Sequence, residues 1–180
     1  KQDKDGYDIY KEGIEKGYFV ENPDGTVFVG RVWPGDAVFP DFGRPEVRNW
    51  WAKHVKFFAD VGAYGVWNDM DEPASFDGEL PTDLIFHDGE QKTTHTRMHN
   101  VFGHLQAQAA YEGMKAATGK RPYIITRAAY AGTQKYSTIW TGDNQSIWSH
   151  LQLAIPQLNS LGMSGFAIAG TDIGGFQKDT

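Results

Sequence analysis

Short apolar strands alternate with amphipathic helices over most of this 180-residue sequence. This alternation restricts the fold more than any other feature, because it is typical of a parallel sheet covered by helices. Helices are predicted where apolar residues recur at three- and four-residue spacing, from Pro45 to Val61, from about His95 to Ala117 and from about Ser146 to Leu161. Strands are expected at 64–69, 122–126, 137–140 and 164–169. The sequence therefore predicts an α/β fold.

The first half of the chain carries two further patterns. Strand-like runs at 17–21 and 26–33 flank Asn22-Pro23-Asp24-Gly25, whose residues are typical of a tight turn, and they predict a β-hairpin. Residues 75–95 are polar and have no clear period. We expect this stretch to be an insertion near the mouth of a pocket.

Polar residues stand where the predicted strands end, namely Asp69, Arg127, Asp143 and Asp172. Active sites of (β/α)8 TIM barrels are built from such strand ends, so the pattern favours a barrel. An open doubly wound sheet remains the alternative on periodicity, although the sequence lacks its glycine-rich phosphate turn. Only about four barrel strands can be counted. We expect 1–180 to be one unit without an internal boundary, the central portion of a larger catalytic barrel.

Composition excludes several classes of partner. Hydrophobic residues make up 40% and charged residues 22% of the chain, and the net charge is −6. With only a short basic cluster at 115–121, binding to nucleic acid or to an anionic membrane surface is not expected. The sequence has no cysteine and no apolar run long enough to span a membrane or to serve as a signal peptide. We expect a cytoplasmic location; the oligomeric state is left open.

Three carboxylates, Asp69, Asp71 and Glu72, follow the strand that contains Trp67. Like charges at this spacing raise at least one pKa, and such a cost is typical of a working site. A solvated acidic loop is the alternative, but Trp67 and Met70 are unusual choices for a merely soluble turn.

Asp69 and Asp143 form the best candidate pair for glycosidic bond cleavage, in which one carboxylate attacks the sugar and the other protonates the departing oxygen. Each follows a strand with a Trp near its end. Arg127 is expected either to hold a sugar hydroxyl, to keep the nucleophile ionised, or simply to close a buried ion pair. Asp172 is expected either to contact substrate or to bond loop amides.

A metal site is not expected. His95 and His99 have helical i, i+4 spacing, but they lack the glutamate of a His-Glu-x-x-His zinc motif. The acidic loop also lacks the alternating ligands of an EF-hand, and no Gly-x-Ser-x-Gly elbow of a serine hydrolase occurs.

Four ordered motifs are spread over most of the chain. They are Trp67-Asn68-Asp69-Met70-Asp71-Glu72-Pro73, Arg127 with 131–136, Trp140-Thr141-Gly142-Asp143-Asn144, and Gly170-Thr171-Asp172-Ile173-Gly174-Gly175-Phe176. Together they resemble the α-glucosidases of glycoside hydrolase family 31. Two shorter segments, Val32-Trp33-Pro34-Gly35 and Phe39-Pro40-Asp41-Phe42, look like the same family.

The resemblance implies a retaining, exo-acting α-glucosidase that acts on oligosaccharides with a terminal α-glucose, without cofactor or metal. It implies that Asp69 is the nucleophile, Asp143 the general acid and base, and Arg127 a ligand of the sugar. The other residues that it places in the sugar pocket are Trp33, Trp67, Met70, Trp140, Asp172 and Phe176.

The sequence departs from the family at Asp71, where asparagine is usual. A pocket aspartate and a histidine of the family fall before Lys1 and after Thr180, so we expect residues 1–180 alone to be weakly active or inactive. An α-xylosidase, an α-galactosidase, a transglucosidase and a non-catalytic carbohydrate-binding homologue are the alternatives. The Asp-Met-Asp-Glu-Pro segment is closer to the glucosidase pattern, and the presence of both acids argues against lost chemistry.

Overall fold

The computed structural model describes residues 6–178, which form four α-helices and eight strands. The helices are α1 (Asp8–Glu15), α2 (Pro45–Asp60), α3 (His95–Thr118) and α4 (Trp148–Met163). The strands are β1 (Val29–Val32), β2 (Gly35–Val38), β3 (Gly65–Asn68), β4 (Ile85–Asp88), β5 (Gln91–Thr94), β6 (Tyr123–Thr126), β7 (Thr138–Trp140) and β8 (Ala169–Gly170). Among these residues, no helix is long and apolar enough to cross a membrane.

A four-stranded parallel sheet has the order β3, β6, β7, β8, as the alternation of strands and helices predicts. The register pairs Asn68 with Thr126, Thr126 with Ile139, and Trp140 with Gly170. Helix α3 connects β3 to β6, and α4 connects β7 to β8, which are the crossovers that parallel strands require. All four strands therefore end at one edge, where the predicted site residues follow them.

The two central helices end where the sequence predicts. Gly62, two residues after α2, has a φ of +89°, and Gly119 after α3 has a left-handed φ of +67°, a conformation that glycine adopts without strain. The helices approach closely at Gly113, where a Cβ would lie 2.4 Å from the carbonyl oxygen of Ala52. A small core joins these helices to β6 and contains Val55, Ala110, Met114 and Ile124.

The larger core fixes the first half of the chain against α2 and α3. Its buried residues are Phe19, Val20, Phe39, Phe42, Val47, Trp50, Leu80, Leu84, Phe86, Met98 and Phe102. Because it includes residues from the segment between β3 and α3, this core also anchors the loop that follows β3.

The predicted hairpin of 17–21 with 26–33 is only partly correct. The turn forms, since Asn22 N–H donates to the carbonyl of Thr26 (2.7 Å), but the pairing is limited to a single bridge between Glu21 and Val27. β1 pairs instead with β2, a strand that the sequence did not reveal, across the two-residue turn Trp33-Pro34. Gly35 provides the positive φ, +93°, at the end of this turn.

Residues 75–95 contain a second unpredicted hairpin, formed by β4 and β5. Its two-residue turn begins with Gly89, whose φ of +61° suits the first position of a type II′ turn. The Asp88-Gly89 pair was the sequence signal for this turn.

The strand predicted at 164–169 is wrong except at its last residue. Helix α4 continues to Met163, and its last carbonyls accept bonds from Ser164 and Phe166, which are therefore used for the helix end. Only Ala169 and Gly170 pair with β7. The helix itself begins at Trp148, two residues later than predicted, and it contains Pro156.

Candidate active site

The turn after β3 presents Asp69 and buries Asp71. Asp69 Oδ1 accepts a hydrogen bond from the N–H of Met70 (2.9 Å), and Met70 has a positive φ of +55°, which is uncommon for a residue other than glycine. The side chain of Asp69 is 34% exposed, whereas Asp71 is 1% exposed. These two acids of one motif thus have opposite environments: Asp69 is open to solvent, and Asp71 is enclosed.

Arg127 lies among three carboxylates at the ends of β3, β6 and β7. Its Nε and Nη2 bind Glu72 through both carboxylate oxygens (2.7 and 3.2 Å). Its Nη1 lies 2.7 Å from Asp143 Oδ2 and 3.3 Å from Asp69 Oδ1. One guanidinium therefore contacts both predicted catalytic acids, and the ion-pair interpretation of Arg127 describes this arrangement.

The carboxylates keep Arg127 charged. Its side chain is only 17% exposed, and this burial lowers the pKa of the guanidinium, but the hydrogen bond that Arg127 donates to Glu72 and the charges of Glu72, Asp69 and Asp143 raise the pKa above its ordinary value overall. The cation is permanent, so it stabilises negative charge on whichever of these carboxylates is ionised.

Gly142 makes room for Arg127. Its φ is +66°, and a Cβ at this position would lie 3.0 Å from Cδ and 3.3 Å from Cγ of Arg127. On the other side, the backbone N–H of Arg127 donates to the carbonyl of Asn68 (3.2 Å). The end of β7 and the end of β3 thus determine where the guanidinium lies.

Asn144 joins the loops that follow β7 and β8. Its side-chain Nδ2 donates to the backbone carbonyl of Asp172 (3.0 Å), and its backbone carbonyl accepts from the N–H of Phe176 (2.8 Å). The buried Oδ2 of Asp172 has no hydrogen-bond partner among the described residues, and neither does Oδ1 of Asn144. The Asp172 carboxylate thus leaves an acceptor free, and the N–H of Gly175 bonds its backbone carbonyl instead (2.9 Å).

Several aromatic rings lie on the strand ends and loops that carry the predicted site residues. Trp67 and Trp140 meet edge to face, with ring centroids 5.7 Å apart. Trp33, in the β1–β2 turn, is 80% exposed and contacts Phe76 edge to face at 4.9 Å. Phe176 is also exposed. Open ring faces of this kind are suited to stacking against sugar rings.

The β1–β2 turn that carries Trp33 is fastened to the loop after β3. The N–H of Phe76 donates to the carbonyl of Arg31 (2.7 Å), and the N–H of Arg31 is bound by Ser75 and Asp77. Trp33 and Met70 therefore belong to connected loops, although 37 positions separate them in the printed sequence.

Burial raises the pKa of the Asp71 carboxyl to about 6, although hydrogen bonds from Thr126 and from the N–H of Ala128 oppose the rise. Thr126 Oγ1 donates to Asp71 Oδ2, and the N–H of Ala128 donates to Oδ1 (3.0 Å). The sequence singles out Asp71 as a departure from the family, but it does not reveal these two partners.

The histidines form structural contacts. His95 Nδ1 lies 3.2 Å from the carbonyl of Pro81, and its Nε2 lies 3.0 Å from Nδ1 of His99. Burial, and then the charge of His99, lowers the pKa of His95. Across residues 6–178, no group of three or more metal-ligating side chains is placed to hold a metal ion.

The sequence-predicted residues fall into three connected groups. Asp69, Arg127 and Asp143 form the charged centre, with Trp67, Met70 and Trp140 on the same strand ends. Asp172 and Phe176 belong to the β8 loop, which Asn144 joins to the loop that carries Asp143, and Trp33 contacts Phe76 in the loop that follows β3. Sequence reasoning missed Glu72 as the bidentate partner of Arg127, and it also missed Asn144, Phe76 and Thr126; the clustering of three acids in one motif was the only signal for Glu72.

The comparison with protein families covers the whole chain. The model of the TIM-barrel domain of glycosyl hydrolases family 31 matches residues 1–180. Alpha-glucosidase 2 of Bacillus thermoamyloliquefaciens is 45% identical over 177 residues, which are 97% of this chain and 22% of that protein. The human neutral alpha-glucosidase AB is 37% identical over 179 residues, with 97% of this chain and 19% of that protein covered. The chain thus spans about a fifth of the length of these relatives.

Solved structures show the same likeness in three dimensions. A glucosidase II alpha subunit, solved with alpha3-Glc2 bound, aligns with a TM-score of 0.89 at 33% identity, over 99% of this chain and 20% of that one. A family 31 alpha-glucosidase from Bacteroides thetaiotaomicron aligns with a TM-score of 0.81 at 41% identity, over 100% of this chain and 29% of that one. The predicted barrel is therefore confirmed, and the four parallel strands are part of it: the chain belongs to glycosyl hydrolases family 31.

Proposed function

We propose that the protein containing this chain is a retaining, exo-acting α-glucosidase that removes terminal α-linked glucose from oligosaccharides. Membership of family 31 and the α-glucosidase names of its relatives support the substrate class. The observation that carries the proposal is the placement of Asp69 and Asp143 against one nitrogen of Arg127.

The separation of the two acids favours retention. Asp69 Oδ1 and Asp143 Oδ2 are 3.3 and 2.7 Å from the same Nη1, so these two oxygens cannot be more than about 6 Å apart. Retaining glycosidases hold their carboxyl groups roughly 5 to 5.5 Å apart, whereas inverting enzymes need roughly 6.5 to 9.5 Å to admit a water. The upper limit of about 6 Å between these oxygens supports the retaining spacing.

In the proposed reaction, Asp69 attacks the anomeric carbon while Asp143 donates a proton to the departing glycosidic oxygen. A covalent glucosyl-enzyme forms, and the leaving sugar departs with that proton. Water then attacks the same carbon, Asp143 takes the proton from the water, and the bond to Asp69 breaks. Arg127 contacts both carboxylates and orients them toward one carbon.

Terminal α-glucose is the substrate unit that best fits the comparisons. Structural neighbours include a glucosidase II alpha subunit with Glc1Man2 bound and a Flavobacterium johnsoniae dextranase with glucose bound. The exposed rings of Trp33, Trp67 and Phe176 offer apolar faces to the sugar.

Trapping the intermediate tests the nucleophile. The full-length protein is incubated with a fluorinated glucosyl fluoride, and the labelled peptide is identified by mass spectrometry. We expect the adduct on Asp69, normal labelling of the exposed-loop control Asp83→Asn, and no labelling of Asp69→Asn. An adduct on another residue would overturn the assignment, and the absence of any adduct would favour a non-catalytic carbohydrate-binding protein.

Proton NMR of the first-formed sugar tests retention independently, because initial release of β-glucose would exclude a retaining mechanism. Parallel assays with aryl α-glucoside and aryl α-xyloside separate the family alternatives. Xylose lacks the C6 hydroxymethyl group, and we expect kcat/KM to favour the glucoside by at least about tenfold. A preference for the xyloside would assign the protein as an α-xylosidase.

A further inference from the structure

Asp71 binds the residues on both sides of Arg127. Its Oδ2 accepts from the hydroxyl of Thr126, and its Oδ1 accepts from the backbone N–H of Ala128 (3.0 Å). These are the residues immediately before and after Arg127. The carboxylate thus connects the turn after β3 to the end of β6 at the position from which the guanidinium projects.

The contact is enclosed and has little room to rearrange. Asp71 is 1% exposed and Thr126 is fully buried. On its other side lies Gly103 of α3, where a Cβ would be 2.7 Å from the carbonyl oxygen of Asp71 and 2.8 Å from Cβ of Ala128. Helix α3 therefore packs closely against both the turn after β3 and the end of β6, and the Asp71 carboxylate links these two segments.

We propose that Asp71 is a positioning residue that, through Thr126 and Ala128, holds Arg127 between Asp69 and Asp143. This inference rests on the proposed function. Asp69 and Glu72 lie on the same turn as Asp71, and both contact the Arg127 side chain. The turn after β3 thus holds Arg127 in two ways. Asp71 binds the residues on either side of it, and Asp69 and Glu72 are two of the three carboxylates that contact its guanidinium.

Asparagine can keep this link, but alanine cannot. An asparagine retains one oxygen to accept from Ala128, while its amide can donate to Thr126 Oγ1. The threonine hydroxyl also lies 3.1 Å from the carbonyl of Ala128, so it has an alternative acceptor when it no longer donates to residue 71. Alanine removes both acceptors and leaves the N–H of Ala128 without its partner.

A double-mutant cycle on the full-length enzyme tests the inference. Asp71→Ala, Arg127→Ala and the double variant are compared with the parent for hydrolysis of an aryl α-glucoside. We expect Asp71→Ala to lower kcat/KM about 100-fold, because misplacement of a catalytic group by about 1 Å has this effect. When Arg127 is already alanine, adding Asp71→Ala should lower kcat/KM by less than about threefold, because the side chain that Asp71 positions is no longer present. If the loss of kcat/KM in the double variant equals the product of the losses in the two single variants, the inference is overturned.

Conservative variants separate positioning from lost stability. Asp71→Asn should restore kcat/KM to within about threefold of the parent. Thr126→Val should lower it about tenfold, while Thr126→Ser, which keeps the hydroxyl, should not. Gly113→Ala is a matched control, because it crowds α2 against α3 away from the site and should lower the thermal midpoint without lowering kcat/KM. A loss of activity in Gly113→Ala equal to that in Thr126→Val would overturn the inference.

A crystal structure of Asp71→Ala provides a readout that does not depend on the proposed activity. We expect the Arg127 guanidinium to leave Asp69 and Asp143, whereas an unmoved guanidinium would overturn the positioning role. An inactive parent enzyme would instead overturn the proposed function, so the two failures are distinguishable.

Discussion

Replacing Asp71 by asparagine should change how the free energy of unfolding depends on pH. Asp71 is 1% exposed, and burial raises its pKa from 3.8 to about 6, despite the hydrogen bonds from Thr126 and Ala128. Between these two values the folded protein keeps a proton on Asp71 that the unfolded chain has released. The free energy of unfolding therefore falls as the pH rises through this window.

The magnitude follows from the two pKa values. One pKa unit corresponds to about 1.36 kcal/mol, so ionising Asp71 costs the folded state about 3 kcal/mol by pH 7 relative to the unfolded chain. Asparagine has no proton to lose. The free energy of unfolding of Asp71→Asn, minus that of the parent, should therefore rise by about 2 kcal/mol between about pH 4 and pH 7, since part of the total effect is already present at pH 4, where the unfolded chain has begun to ionise Asp71.

The assay is urea unfolding followed by tryptophan fluorescence, with both proteins measured at each pH. Taking the difference between the two proteins removes the contribution of every other titrating group. The variant Asp83→Asn removes one carboxylate from an exposed loop and controls for net charge. A difference that stays constant with pH, or that is larger at about pH 4 than at pH 7, would refute the argument that ionisation of this buried carboxyl is costly.

Two further predictions concern glycines near the site. Gly142→Ala should lower kcat/KM by about tenfold to 100-fold, because the new Cβ would crowd Arg127 and the backbone φ at this position is positive. Steady-state kinetics and the thermal midpoint test this prediction, and an unchanged kcat/KM would contradict it. Gly103→Ala should destabilise the protein by about 1 to 3 kcal/mol, since its Cβ would overlap Asp71. Its control is Gly162→Ala, in a helix with no atom near the new Cβ, which should stabilise by about 0.5 to 1 kcal/mol. Equal thermal midpoints for the two variants would contradict the packing argument.

The helices and the parallel sheet were predictable because their signals are local. Pro45 marks the start of α2, Gly119 marks the end of α3, and the apolar spacing between such residues defines the buried face. A helix between two apolar strands then requires a parallel crossover. These predictions did not depend on knowing what any segment packs against.

The errors occur where two parts of the chain compete for the same backbone groups. Residues 26–33 form a good strand, but the sequence cannot show that β2, rather than 17–21, pairs with most of it. Residues 164–168 have the composition of a buried strand, yet the end of α4 uses the N–H groups of Ser164 and Phe166. In both places, the outcome depends on hydrogen bonds with segments that local composition does not specify.

The sequence by itself determined which residues stand at the ends of the strands: Asp69, Arg127, Asp143 and Asp172. It did so because parallel strands joined by helices bring their ends to one edge, whatever the details of packing. The motifs around these positions also indicated the family, which the comparisons confirm.

Only the tertiary structure decided how the acids differ. Asp69 and Asp71 are two residues apart, but the turn directs one to the open edge and the other against Thr126, which is 55 positions away in the sequence. Likewise, Glu72 and Asp143 meet on Arg127 only because β3, β6 and β7 are neighbours in the sheet. Burial and long-range hydrogen bonds set the charge and the position of a carboxylate, and both are properties of the packed chain.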